Sequence, residues 1–493
     1  MRKPVLSLGA LALTLSVLPA ASAPPDPAAA LVARALGPTP LMDDLRELCD
    51  RIGGRPAGSP ANDRAVDWAA ARLREAGVDA VTLESFTVPG LWLPGPTEAA
   101  CVSPEPFALR VAATPFSAST PGGRALEARV VDAGDGLDAD YARLGAAARG
   151  AVALVRNPEM KTAADLFGEY MRNASLLEAA GRAQVAAIFL QSSRPRGLLY
   201  RHPMGLGGKP APIPVALVAR EHFARLARLA AQGEVRVSLR IDSRTGPAYE
   251  SRNVVGEIRG REKPEEVVLL GAHLDAWDLG TGANDNGVNA ALVIDVARGM
   301  KALGIAPRRS VRFVLFNAEE QGMWGSAGYV KRHAGELDGH AAAVIFDVGS
   351  GRTGGFYLNG REELRGPLDR ALGAVQGLAA GNHVAEAVDG TDNFDFLLSG
   401  VPNLVAAQDW DPYLPDYHAE SDTFDKVDPR EARANAAIAT AVVWGLADAA
   451  ERPAPRQSRA EVEKLLVDTK LTEQMKAFGQ WEDWVAGRRG VSR

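Results

Sequence analysis

The chain has 493 residues, of which 46% are hydrophobic and 24% charged. This is ordinary globular composition, with room for roughly two or three domains and for a buried core in most of the chain. The net charge of −6 and a pI near 5.8 give no support to a nucleic-acid or anionic-membrane partner.

Arg2 and Lys3 precede an apolar stretch from Val5 to Leu18, and small residues follow from Pro19 to Ala23. This is the order of a secretory signal over residues 1–23. The apolar core is too short for a comfortable membrane span, so an exported chain without stable membrane insertion is expected, periplasmic or extracellular. Cleavage after Ser22 or Ala23 removes Arg2 and Lys3 and takes the charge from −6 to −8. No cysteine follows the apolar core, so no lipid anchor is expected. Cys49 and Cys101 are the two cysteines. An exported chain could join them, and the sequence leaves a disulfide and two buried thiols equally open.

Residues 24–40 are rich in Ala and Pro and read as a loose leader. LMDDLRELCDRI then places Leu41, Leu45, Leu48 and Ile52 at helical steps. GGRPAGSP breaks the pattern. A second helix, NDRAVDWAAARLREAG, has Asn62 or Asp63 as its N-cap and Gly77 as its stop. DAVTLESFTVP reads as a strand. Residues 105–247 are Ala- and Arg-rich, with short β-like runs such as GAVALVRN and VAAIFLQ and two helical stretches. They are read as a β-rich domain inserted into a catalytic domain formed by 41–104 and 248–450. GLGGK at 205–209 lacks Walker spacing and meets Pro210, so it is read as an ordinary loop.

From Ser251 the alternation is regular: NVVGEI, VVLLGAH, a helix over 286–303, VRFVLFNA, a helix around 325–333, AAAVIFD, GGFYLN, a helix near 362–379 and VPNLVAA. Such alternation indicates an α/β sheet covered by helices on both faces. An Ala-rich helix over 430–450 closes it. The tail 451–493 carries one amphipathic helix, AEVEKLLVDTKLTEQMKAF. Trp481 and Trp484 follow and pack on the body or on another subunit.

Ligand-type residues recur where these apolar runs end: His273 in GAHLDAWD, Asp285 in TGANDNG, Glu319 and Glu320 in FNAEEQG, Asp347 in IFDVGSG and His418 in DYHAESDT. Open α/β sheets place ligands beyond the carboxyl ends of their strands, so these groups can converge on one cleft. Imidazole and carboxylate together suit a borderline divalent ion such as zinc, without choosing between zinc, cobalt and manganese. A hydrolytic site of two ions needs one bridging carboxylate, for which Asp285 is the candidate. His273 and Asp347 would complete one ion, Glu320 and His418 the other. Glu319 would move the proton between water and leaving amine, and Asp275 would hold the His273 imidazole from behind. Trp277, Asn393, Tyr413 and Tyr417 adjoin these residues in sequence and are candidate pocket residues. His202, His222, His333, His340 and His383 lack such a setting and are read as structural or surface residues. A single His-x-Asp or Glu-Glu is weak evidence; five ligand-type residues in order at strand ends are not.

These segments resemble the M28 family of co-catalytic zinc peptidases. The resemblance runs through GRPAGSPANDRAVDWAAARLREAG, GAHLDAWDLGTGANDNG, FNAEEQGMWGSAGY, TDNFDFLLSGVPNL and YHAESDTFDKVDP, and spans roughly 41–450. The HLDAWDLGTGAND run, AEEQG and the late GTD with GVP after it look most like the carboxypeptidase Q branch. The resemblance implies an α/β fold with a mixed, mainly parallel sheet sandwiched by helices, of the phosphorylase/hydrolase-like zinc-peptidase type, with an inserted protease-associated (PA) domain. It implies two zinc ions per chain on His273, Asp285, Glu320, Asp347 and His418, with Glu319 as general base and Asp275 supporting. It also implies a secreted homodimer acting on short peptides or dipeptides with free N-termini, as aminopeptidase or dipeptidase rather than true carboxypeptidase. Two alternatives remain at this point: glutaminyl-cyclase-like or other amide chemistry at a single zinc, and a non-catalytic PA-domain binding protein.

Overall fold

The computed structural model describes residues 26–204 and 210–493. Residues 1–23, expected to be a secretory signal, and 205–209, expected to be a loop, lie outside the described residues.

Seven strands form the central sheet in the order Ala80–Val88, Tyr249–Ile258, Arg309–Phe316, Lys263–His273, His340–Ile345, Asn403–Gln408, Thr353–Tyr357. The four strands from Arg309–Phe316 to Asn403–Gln408 run parallel, and the three outer pairings are antiparallel. The sheet is therefore mixed with a parallel centre, and only Tyr249–Ile258 and Thr353–Tyr357 run against the other five strands. Alternation sorts the side chains onto two faces. Val268, Leu270, Ala272, Val311, Phe313 and Leu315 pack under helices Pro60–Glu75, Val288–Ala302 and Pro429–Asp448. Leu269, Val314 and Phe316 pack with Tyr329 and Phe396 from helices Trp324–Arg332 and Asn393–Leu398. Burial on both faces explains why these strands read as continuous apolar runs.

Several local expectations are corrected. The supposed leader contains a helix, Pro27–Leu36, capped by the Asp26 side chain. Its Leu31, Val32 and Ala35 are buried in the core with Pro429–Asp448. Burying a Leu or Val side chain is worth about 1.5–3 kcal/mol, which overrides loop-like composition. Helix Pro60–Glu75 is capped by Ser59, whose hydroxyl accepts from Asn62 N at 3.1 Å, and not by Asn62 or Asp63. Pro60 at the first position fixes the start. The tail does not form one helix: Arg459–Asp468 and Leu471–Ala477 break at Lys470, which has φ +62°.

The insertion has its own eight-stranded sheet, with Leu126–Asp132, Val152–Val155, Ala187–Gln191 and Val215–Val218 parallel at its centre. Helices Ala163–Arg182 and Arg220–Ala230 pack on it. Strand Thr97–Ser103 pairs with Arg236–Ile241 inside this sheet, so the insertion begins before residue 97 rather than at 105. A two-stranded ribbon, Leu91–Leu93 with Arg244–Gly246, forms its neck. Cys49 lies in the body and Cys101 in the insertion, both as free buried thiols.

Candidate active site

The parallel strands deliver the ligand-type residues to one end of the sheet. His273 is the last residue of Lys263–His273. Asp347 lies two residues past His340–Ile345. Glu319 and Glu320 follow Arg309–Phe316, in a tight turn rather than on an extended strand end. Ala318 has φ +58°, and Gly322 N and Met323 N both donate to the Glu319 carbonyl at 2.8 Å.

Asp285 comes from the loop before helix Val288–Ala302. The Asp422 carboxylate accepts Asn284 N at 2.7 Å and Asp285 N at 3.1 Å. Fully buried Arg55 donates to the carbonyls of Leu274, Thr281 and Gly282 along the same loop. Gly282 is required there: its φ is +61°, and a Cβ would stand 2.3 Å from the Ala276 Cβ.

His418 sits in the long connection after Asn403–Gln408 with φ +56°. A left-handed non-glycine residue costs roughly 1–3 kcal/mol and must be held by its surroundings. The insertion holds it. Arg201 N donates to the His418 carbonyl at 3.0 Å, and His418 Nδ1 donates to the Arg201 carbonyl at 2.7 Å. Tyr417 stacks on the His418 ring, with centroids 3.7 Å apart.

His273 Nε2 lies 3.1 Å from Asp285 Oδ1 and 2.9 Å from Asp347 Oδ1. His418 Nε2 lies 3.1 Å from Asp285 Oδ2 and 2.8 Å from Glu320 Oε2. The two oxygens of Asp285 thus face different imidazoles. Both Nδ1 atoms point at main-chain carbonyls, Asp275 for His273 at 3.0 Å and Arg201 for His418. A carbonyl only accepts, so each Nδ1 carries a proton and each Nε2 is left facing carboxylates. Carboxylates gathered this closely demand positive charge between them. Burial opposes protonation of His273, yet Asp347 and Asp285 hold it well above the usual imidazole range. Burial likewise opposes protonation of His418, but Glu320 and Asp285 raise it to about 10.

Glu320 Oε1 is buried without a hydrogen-bond partner, and Asp285 Oδ2 and Asp347 Oδ1 face the imidazole nitrogens just named. One atom each from His273, Asp285 and Asp347 lie within 4.8 Å of one another, as do atoms from Asp285, Glu320 and His418. This donor set fits two divalent ions sharing Asp285. Glu319 is less enclosed than Glu320. Burial and the charges of Asp347, Glu320 and Asp392 raise its pKa well above the carboxylate range, against the opposing pull of His273.

The Asp275 side chain does not bond the His273 ring. Its Oδ1 is 3.8 Å from Nδ1 and instead accepts Glu319 N at 3.3 Å, while its main-chain carbonyl holds the imidazole. Tyr413 and Tyr417 line the main cavity, Trp277 lines a smaller recess of about 10 Å³ with Asp285, Glu320 and His418, and Asn393 lines neither. Trp277 packs edge-on between Trp92 at 5.9 Å and His418 at 6.3 Å, in the core of the insertion. Asn393 is fully buried and donates to Asn359, Val388 and Asn403, pinning the loop before its helix.

Sequence reasoning missed Arg55, Arg201, Asp422 and Tyr170. Arg55 and Asp422 stand inside the quoted GRPAGSP and YHAESDT segments, where a buried charge has no sequence signal of its own. Tyr170 lies on the inserted helix Ala163–Arg182, its hydroxyl 3.3 Å from that of Tyr417. His202, read as structural, pairs with Glu169 at 2.8 Å behind Tyr170 and His418.

Residues 253–443 match the family model described as Peptidase family M28. The chain is 30% identical to carboxypeptidase Q of Bos taurus over 413 residues, covering 83% of this chain and 85% of that protein. A crystal structure of a peptidase M28 precursor from Shewanella amazonensis SB2B superposes with a TM-score of 0.78 at 28% identity, covering 87% of this chain and 98% of that one. The zinc aminopeptidase BSAP from Bacillus subtilis shares the fold, with a TM-score of 0.65 at 21% identity over 82% of this chain and 93% of that one. Among the described residues no helix is long and apolar enough to cross a membrane. The chain belongs to peptidase family M28, and it is a metallopeptidase.

Proposed function

We propose that this protein is an exported, co-catalytic two-zinc exopeptidase that cleaves short peptides near a free N-terminus, as an aminopeptidase or dipeptidase. The observation that carries the reading is Asp285, whose two oxygens face the Nε2 atoms of different imidazoles, each backed by a further carboxylate. His273, Asp285 and Asp347 would hold one ion, and Asp285, Glu320 and His418 the other. Zinc bound there would polarise the peptide carbonyl and bring the pKa of water towards about 7. The inserted unit is read as a PA-like domain, and the resemblance to the carboxypeptidase Q branch supports export and a homodimer.

The chain's own residues supply the proton traffic. Glu319 takes a proton from the attacking water and returns it to the leaving amine nitrogen. The Glu319 carboxyl holds that proton between the two steps. Tyr413 and Tyr417 line the cavity, and burial keeps both phenols protonated as donors to a substrate oxygen.

Glu319→Gln should retain two zinc ions per chain by elemental analysis while lowering dipeptide turnover by about 10²–10⁴-fold. Unchanged turnover would remove Glu319 from the mechanism. A single tight ion per wild-type chain would remove the paired-ion reading.

A further inference from the structure

The two ion sites are supported differently. His273 ends a strand paired with Arg309–Phe316, Asp347 lies two residues past His340–Ile345, and Glu320 follows Arg309–Phe316, so the central sheet sets all three. His418 has no such support. It belongs to four successive residues, 417–420, each held by the insertion. The Tyr417 carbonyl accepts Arg194 Nη2 at 3.4 Å. His418 accepts from Arg201 N through its carbonyl and donates to the Arg201 carbonyl through Nδ1. Ala419 is buried in the core of the insertion and pairs with Tyr200 in an antiparallel bridge. Glu420 N donates to the Leu199 carbonyl at 3.1 Å, and Glu420 Oε1 accepts Leu199 N at 3.0 Å. We propose that Glu420 is a positioning residue through which the insertion governs occupancy of the ion site at Glu320 and His418, and not of the site at His273 and Asp347. The inference rests on the two-ion reading and adds what regulates one of the ions.

Glu420 closes the bridge beside His418 with its side chain. Leu199 is buried, and its N–H donates to the Glu420 carboxylate rather than to a carbonyl. A buried amide that loses its acceptor bears the full cost of its desolvation, so truncating Glu420 opens the bridge. The other oxygen, Oε2, accepts Arg110 Nη2, and Arg110 Nε donates to the Gly197 carbonyl at 2.8 Å. Arg110 is half-exposed, and an ion pair of that kind holds little by itself. The acceptor therefore matters more than the charge, and glutamine can stand in for glutamate here. Once the bridge loosens, His418 relaxes from its φ of +56°, which only its surroundings maintain. The shared ligand Asp285 does not follow, because Arg55 and Asp422 fix its loop from within the body.

The test titrates the full-length, chelator-stripped protein with zinc alone, read by calorimetry and by elemental analysis of the bound metal. Asp347→Ala disables one site and His418→Ala the other, and Glu420 is varied in the wild type and in both backgrounds. Glu420→Ala should weaken one of the two wild-type ions by about tenfold or more, the scale of losing support behind a metal ligand. It should do the same in Asp347→Ala, and in His418→Ala it should change zinc affinity by less than about twofold, as independent sites do. Glu420→Gln should bind both ions as the wild type does. If Glu420→Ala lowers the thermal midpoint sharply, Glu420→Met, which keeps the stem and lacks the acceptor, takes its place with the same expectation. Equal weakening in both backgrounds, or weakening in neither, overturns the inference and leaves the two-ion reading intact. Failure of Glu420→Gln to rescue overturns it as well. A wild-type chain that binds one ion or none overturns the two-ion reading itself, whatever Glu420 does.

Discussion

Arg55 shows how a single buried cation shapes a metal site it does not enter. Its planar fork holds the carbonyls of Leu274, Thr281 and Gly282, so the segment between His273 and Asp285 has one conformation. Lysine has the charge but not the fork, and could not satisfy three carbonyls in a plane. Arg55→Lys should therefore weaken zinc binding by about 10–100-fold, the usual cost of losing support behind metal ligands. Chelator competition checks this, and unchanged affinity would make Arg55 a packing residue only. Asp422 acts on the same loop through the amides of Asn284 and Asp285.

At the scale of elements, the insertion is part of the site. His418 is kept in its left-handed conformation by paired main-chain and ring contacts to Arg201, and Arg201 is anchored by Asp278 through Nε at 2.9 Å and Nη2 at 2.8 Å. In the central sheet, His340 opens the strand His340–Ile345, fully buried, with its Nε2 3.0 Å from the Tyr329 hydroxyl. Burial lowers its pKa from 6.5 to about 4. Folded and unfolded chains both hold it neutral at pH 7. As the pH falls through 6.5 the unfolded chain binds a proton that the folded chain refuses until about pH 4. Stability is lost over that window, by about 3 kcal/mol for this one group. Urea midpoints between pH 7 and pH 4 should decline less steeply in His340→Gln than in the wild type. Parallel slopes would assign acid sensitivity elsewhere.

At the scale of the molecule, the body, the insertion and the tail all border one cavity. The ligand cluster gathers Asp285, Glu320 and Asp347 around two imidazoles, a concentration of negative charge that folding alone must hold together. Ions that bind only the folded chain stabilise it by mass action, about 2.7 kcal/mol at a hundredfold excess over Kd. Zinc added to chelator-treated protein should raise the thermal midpoint, and Asp285→Ala should abolish most of that rise because it removes the shared ligand. A midpoint indifferent to zinc would contradict the paired site.

The sequence by itself determined the α/β body and the identity of the ligand-type residues. Both are local facts: apolar runs of strand length, helical periodicity, and His, Asp and Glu placed where those runs end. It placed Gly77 as the stop of the helix Pro60–Glu75, and Gly77 does have φ +77°. It misjudged Pro27–Leu36, the junction near residue 97 and the break at Lys470. There, packing against a distant helix, pairing with a distant strand or one backbone dihedral outweighed composition. It placed Asn393 in the pocket because of its neighbours in the chain, but adjacent side chains on folded backbone point in different directions. Tertiary structure alone decided that Arg201 orients His418, that Arg55 fixes the Asp285 loop and that Phe478 meets Tyr170. Each joins residues more than 200 positions apart, and no local pattern encodes which distant carbonyl or ring will stand opposite.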